Sequence, residues 1–498
     1  MRNRKAGILL PVTALPSRYG VGCFSEAAYR FIDWLRDSGQ SYWQILPLGQ
    51  TGYGDSPYQS FSSYAGNPYL ISLEALMGDG LLTEEECARA AADTSEERVS
   101  YQALYERRYP LLRLAYARSG DRVDGSFQAF EQENREWLDD YALFMAIKES
   151  LGGIPLSEWQ EPYRMREPSV LARCRETMAE EIGFWKFLQY RFFRDWRRLK
   201  EYANTRGVRI IGDIPIYVSA DSADVWVSPE LFQLNEQGTP LAVAGCPPDG
   251  FTPEGQLWGN PLYRWEAHRQ SGYAWWICRL AHAFSMYDLV RIDHFRGFDE
   301  YYSIPYGAPN AVGGHWEPGP GMALFRAVEQ AMGRQEGIAE DLGYMTDTVR
   351  RLVKDSGFAG MKILQFGFDE QDRSFTNEYL PHLYGENTVA YPGTHDNPTL
   401  AAWLSSLSDA EWEAVREYLW DFYTPREQMA DSLIGLLMRS PSWLCVVPLQ
   451  DYLGLDDRAR INRPSTTGGN WVWRVRGEDL SPELARRIRR LTAIGGRL

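Results

Sequence analysis

The chain has 498 residues, enough for two or three ordinary domains or for one large barrel with insertions. Its net charge of −15, from 52 basic and 67 acidic residues, gives no general attraction to a phosphate backbone or an anionic leaflet. That argues against nucleic acid and membrane surfaces as partners and favours a neutral or cationic ligand. The six cysteines are scattered and form no CxxC pair, which argues against a disulfide framework or a zinc finger. The N-terminus does not read as a signal peptide and no apolar run is long enough to span a membrane, so a reducing cytoplasm is the expected location.

Eight short apolar runs follow one another, each bounded by Gly, Pro or Asp: residues 7–12, 42–48, 208–218, 287–295, 337–342, 360–366, 387–396 and 442–451. Such runs mark fully buried strands. Between most of them the apolar spacing turns helical. The stretch 25–39 starts at a Ser and stops at a Gly, 183–207 also stops at a Gly, and further helices are predicted at 273–284, 322–333, 345–357, about 408–422, 425–439 and 481–496. Alternation of eight strands with helices predicts a closed (β/α)₈ barrel occupying the whole chain, residues 1–498, with a doubly wound open sheet as the competing layout.

Two connections are too long for simple barrel loops. Residues 49–207, with helical stretches at 82–93, 101–120 and 128–150, are expected to form a largely helical subdomain inserted after the second strand. Residues 219–285, rich in Pro, Gly and Trp, form a second insertion after the third strand. Long connections in a compact protein tend to be functional. The aromatic content of 14% suits a large core, and also surfaces that stack on ligands.

A barrel of this kind carries its chemistry at the carboxyl ends of its strands. Acids end four of these runs, the third, fourth, fifth and seventh: Asp213, Asp293, Glu340 with Asp341, and Asp396. Ionised and unpaired around one mouth, they would repel one another. Glycoside cleavage needs such a set, with one carboxylate as nucleophile and one carboxylic acid for the leaving oxygen. Arg291 lies two residues before Asp293 and on a strand points the same way, which would keep Asp293 ionised. Glu340 has no equally obvious cation and suits the acid, while Asp396 suits a group that holds sugar hydroxyls. His294 and His395 stand beside Asp293 and Asp396, but without HxH or HExxH spacing they read as neutral donors to sugar and no metal is expected. Arg296 is left with a structural pairing to Asp299 or Glu300. The same acids serve a hydrolase and a transferase, so position alone leaves these open.

The motifs RIDHFRGF (291–298), IAEDLG (338–343) and GTHDN (393–397) resemble those of 4-α-glucanotransferases of the amylomaltase type, relatives of the α-amylases. The resemblance extends to 53–71, 212–226, 247–265 and 460–466, nearly the whole chain in order. It implies a (β/α)₈ barrel without a separate C-terminal β-sandwich and a retaining double displacement without a cofactor. The partners it implies are α-1,4-glucans such as maltodextrins, starch or glycogen, with glucose or a maltodextrin as acceptor. By motif it implies Asp293 as nucleophile, Glu340 as acid/base and Asp396 as transition-state stabiliser. Arg291, His395 and Asp213 match positions holding the donor sugar, and His294 matches one on the acceptor side. Residues 245–260 resemble a loop over the cleft, in which Asp249 would bond the acceptor; Trp258 and Tyr58 would offer stacking faces, and Phe366 and Asn462 would line the cleft. Gly245, Gly250 and Gly255 fit a mobile loop or a passive turn.

Overall fold

The computed structural model describes residues 3–498 apart from 53, 92–94, 121–124, 249–251, 369–373 and 467. Eight parallel strands close a barrel: β1 (Lys5–Leu9), β2 (Tyr42–Gln44), β3 (Arg209–Pro215), β4 (Leu289–Asp293), β5 (Gly337–Ala339), β6 (Ala359–Ile363), β7 (Thr388–Tyr391) and β8 (Leu444–Pro448). Each pairs with its neighbour in sequence, and β8 returns to β1. All eight expected runs overlap one of these strands, and the open-sheet alternative falls because the sheet has no edge.

The strands are shorter than the runs that announced them. The run at 287–295 ends as a strand at Asp293, because His294 takes a left-handed backbone (φ 49) that turns the chain out of the barrel. The run at 387–396 stops before Pro392, and the run at 360–366 ends in a 3₁₀ turn, Leu364–Phe366. Polar residues at the ends of these runs are therefore loop residues resting on the barrel rim.

Alternation along the strands sorts the side chains. Leu9, Ile211, Leu289, Ile338, Met361, Val389 and Val446 fill one apolar cluster inside the barrel. Ile8, Ile210, Val290, Ile292, Ala339, Ala390 and Val447 belong to the larger cluster that also takes in the helices. On β4 the inward set is Leu289, Arg291 and Asp293, so one strand passes from apolar floor to ionised mouth in five residues.

Between β2 and β3 the chain forms helices including Tyr101–Ser119, Gly125–Glu133, Arg135–Ser150 and Ala179–Thr205. The single helix expected at 128–150 is broken at Asn134, whose backbone is not helical and whose side chain bonds the Phe130 carbonyl. A four-stranded antiparallel sheet, ordered 256–261, 242–246, 300–305, 315–318, was not expected. Two of its strands come from before β4 and two from after it. Each is short and its partners are non-local, so no period-2 pattern announces it.

Candidate active site

Arg291 is buried inside the barrel between two carboxylates. Its Nη1 donates to both oxygens of Asp213 at 2.8 and 2.6 Å, and its Nη2 lies 3.0 Å from Asp293 Oδ1. Strand register sets this up, since Asp213 on β3 is the direct partner of Arg291 on β4. The Asp213 side chain is 0% exposed, whereas those of Asp293 and Asp396 are 30% and 40% exposed. Asp213 thus stands behind the site: its oxygens are taken by Arg291 and by the Tyr58 hydroxyl, which donates at 2.8 Å. Its carboxylate fixes the two groups that it bonds, Tyr58 and Arg291. Arg291, equally buried, spans Asp213 and Asp293.

Burial raises the Asp293 carboxyl, and Arg291 opposes that while Glu340, Asp213 and Asp396 add to it; the outcome is about 8. Burial also raises Glu340, against Arg291 and two backbone donors. These are the N–H groups of His294 at 2.7 Å and Leu342 at 3.3 Å. Glu340 is therefore less bare than the sequence suggested. With both carboxyls raised, the two together keep a proton at neutral pH, and the direct guanidinium contact favours Asp293 as the ionised member. Burial disfavours charge on Arg291 too, yet Asp213 and Asp293 hold it protonated.

On the opposite rim, Asp396 accepts from Asn462 Nδ2 at 2.6 Å and lies 3.3 Å from His395 Nε2. The same nitrogen lies 3.0 Å from the Tyr58 oxygen. Because Tyr58 gives its proton to Asp213, Nε2 of His395 is the donor, and burial keeps that imidazole neutral. The Tyr58 and His395 rings stack at 5.3 Å and 11°, so one face of Tyr58 is already covered. Two residues that the sequence did not single out complete this side. Trp471 packs against both rings, and Arg460 bonds the Asp396 carbonyl at 2.5 Å. Arg460 is the first residue of the matching stretch 460–466, while Trp471 had no local signal.

His294 meets Trp258 edge to face at 4.7 Å, and burial pushes its imidazole down to about 3. Its Nε2 is buried without a protein partner. Trp258 lies on the strand Gln256–Pro261, one arm of the hairpin whose other arm is Ala242–Cys246. The two ends of the segment 245–260 are therefore strand. Gly245 is closely packed, since a Cβ there would lie 2.1 Å from the Gln256 carbonyl oxygen. Gly255 has φ +67, the conformation that glycine accepts without strain. Asp249 and Gly250 lie outside the described residues. Phe366 is exposed on the turn after β6, with the Tyr379 ring edge-on at 5.5 Å.

Arg296 is explained by more than a nearby acid. It lies 3.8 Å from Glu300, its guanidinium caps the Trp316 ring at 3.9 Å, and it donates to the Tyr344 carbonyl. One side chain thereby ties the small sheet to the loop that carries Glu340.

A family model described as 4-alpha-glucanotransferase matches residues 10–480. A 4-alpha-glucanotransferase of Clostridium butyricum is 43% identical, covering 98% of this chain and 99% of its own. One from Thermus thermophilus is 44% identical, covering 99% of each. Among solved structures, the amylomaltase from Streptococcus agalactiae in complex with acarbose superimposes with a TM-score of 0.96 at 41% identity, covering 99% of both chains.

Proposed function

The chain belongs to the 4-alpha-glucanotransferase family, and from that premise we propose how its own residues carry the reaction. It moves a segment of an α-1,4-glucan to the 4-hydroxyl of glucose or a maltodextrin. Asp293 attacks the anomeric carbon while Glu340 gives its proton to the departing glycosidic oxygen. The segment is left as an ester on Asp293. Glu340, now ionised, takes the proton of the acceptor 4-hydroxyl, whose oxygen displaces Asp293 and restores the α-1,4 link. Two displacements retain the anomeric configuration. Carboxyls handle each proton and bond in this scheme, so it calls on no cofactor.

The observation that carries this reading is the guanidinium of Arg291, seated between a sealed Asp213 and a half-open Asp293, with Glu340 and Asp396 beside it on the rim. It makes one acid of the cluster a standing anion, while burial raises Glu340. Asp396, aligned by Asn462, receives sugar hydroxyls as the ring flattens toward an oxocarbenium ion. His395 holds Tyr58 and Asp396 in place on the donor side, and His294 donates on the acceptor side. The hairpin spanning 245–260, with Trp258, covers the cleft and helps sugar outcompete water at the ester. Asp249 and Phe366 complete the acceptor side. The helices of 49–207 and the segment 219–285 serve as subdomains on this barrel. Among the described residues no helix is long and apolar enough to cross a membrane. The scattered cysteines, with no CxxC pair in the sequence, support a reducing, cytoplasmic setting.

Incubating the purified protein with maltotriose tests the reading. Transfer gives glucose together with maltodextrins longer than the substrate. Glucose and maltose alone would identify a hydrolase and overturn it.

A further inference from the structure

The helix Asp409–Leu419, in the connection between β7 and β8, ends in an unusual way. Trp420 closes it in the left-handed region (φ 54), a conformation that bulky residues rarely adopt and that glycine supplies without strain at helix ends. The result is a ring held away from the protein, 80% exposed, followed by Phe422 at 42% and Tyr423 at 95%. Trp420 and Phe422 meet edge to face at 5.5 Å, and Arg416 lies over Phe422 and bonds its carbonyl. Asp421 pins the turn by accepting from the N–H of Tyr423 and Thr424 and from the Thr424 hydroxyl at 2.7 Å. The platform is therefore preorganised and uses strained backbone to expose apolar surface, a combination that points to function.

We propose that this platform is a surface-binding site for α-1,4-glucan chains, separate from the catalytic mouth. The occupant follows from chemistry and size. Aromatic rings with polar handles suit sugars, which present an apolar face and hydroxyl edges. Residues 409–428 hold six acidic side chains and two arginines, which disfavours a polyanion. Three rings fall well short of the roughly 800 Å² per partner that a stable dimer needs. A polymer offers the same unit many times, so even weak contacts hold it near the enzyme. The proposal rests on the glucan substrate inferred above.

The test compares the native protein with Trp420→Ala/Tyr423→Ala in native gels containing glycogen, and in kinetics on glycogen and on maltotriose. The double variant is expected to bind glycogen roughly tenfold more weakly. Its KM for glycogen rises several-fold, its maltotriose kinetics are unchanged, and Trp420→Phe restores most of the retardation. Glycogen retardation and KM equal to the native values would overturn the proposal. So would a native dimer in sedimentation that the double variant dissociates, since the rings would then cover a second copy. Failure of the native protein to elongate maltotriose would sink the activity reading instead, and gel retardation is scored independently of it.

Discussion

Arg291 is one positive charge shared by two negative ones, and its two partners make different demands on it. Toward Asp213 it forms a buried pair that loses heavily when one member is removed. Toward Asp293 it sets an ionisation. Replacing Arg291 with Ala leaves Asp213 buried with Tyr58 as its remaining side-chain donor, and about 3–5 kcal/mol of stability should be lost, read by urea unfolding. The same change removes the group that opposes the upward shift of Asp293, whose carboxyl then rises further. Since the nucleophile acts as an anion, the acid limb of kcat/KM should move to higher pH. At neutral pH kcat should fall at least ~100-fold. The alkaline limb reports the proton held on Glu340, which burial keeps above the ordinary carboxylate range. A pH profile of maltotriose disproportionation checks both limbs, and an unmoved acid limb would show that Asp293 does not depend on Arg291.

At the scale of elements, the hairpin of 242–261 is braced from behind. Its strand Ala242–Cys246 pairs with Glu300–Pro305, which starts seven residues after Asp293 on the same stretch of chain. Arg296 adds a second brace, through Trp316 on the sheet and Tyr344 beyond Glu340. The hairpin strands and the catalytic rim are thus mechanically joined, and a shift in one is felt by the other. Gly245→Ala tests the joint, because a Cβ would meet the Gln256 carbonyl and force the two arms apart. With the cover displaced, water should reach the ester more often. The expected outcome is a several-fold rise in glucose release relative to chain elongation, with a smaller change in total turnover. Product analysis by chromatography measures the ratio.

For the whole molecule, closure of the barrel depends on a residue next to the C-terminus. Arg497 is fully buried and donates to three carbonyls: Met438 at 2.7 Å, Lys5 at 3.0 Å and Ser440 at 3.0 Å. Lys5 opens β1, and residues 438–440 lead from the helix Ala430–Arg439 toward β8. The guanidinium therefore bolts the seam where the last strand meets the first. Arg497→Ala removes these three hydrogen bonds, leaving the Ser440 carbonyl with the Arg4 donor, and should cost about 3–5 kcal/mol, lowering the melting temperature. Arg497→Met keeps the apolar stem and separates its packing from the lost hydrogen bonds. Because the seam lies at the foot of the barrel, both variants should keep native kcat while folded.

The local pattern of residues by itself determined the eight buried strands, the acids on four of their ends and the inward phase shared by Arg291 and Asp293. Each follows from period-2 alternation or from neighbours within a few positions, which the chain cannot hide. Residue order also carried the motifs by which the family is legible. Only the tertiary structure decided which acids open to the cleft. Asp213 and Asp293 read alike as strand-end acids, and they differ because Tyr58, 155 residues away, and a strand partner close over one of them. The contact between Tyr58 and His395 spans 337 positions, and the strand Ala242–Cys246 is held by pairing with a strand from beyond β4. Burial and ionisation depend on what arrives from distant parts of the chain. No window of sequence contains that information, and closing the barrel is what brings those groups together.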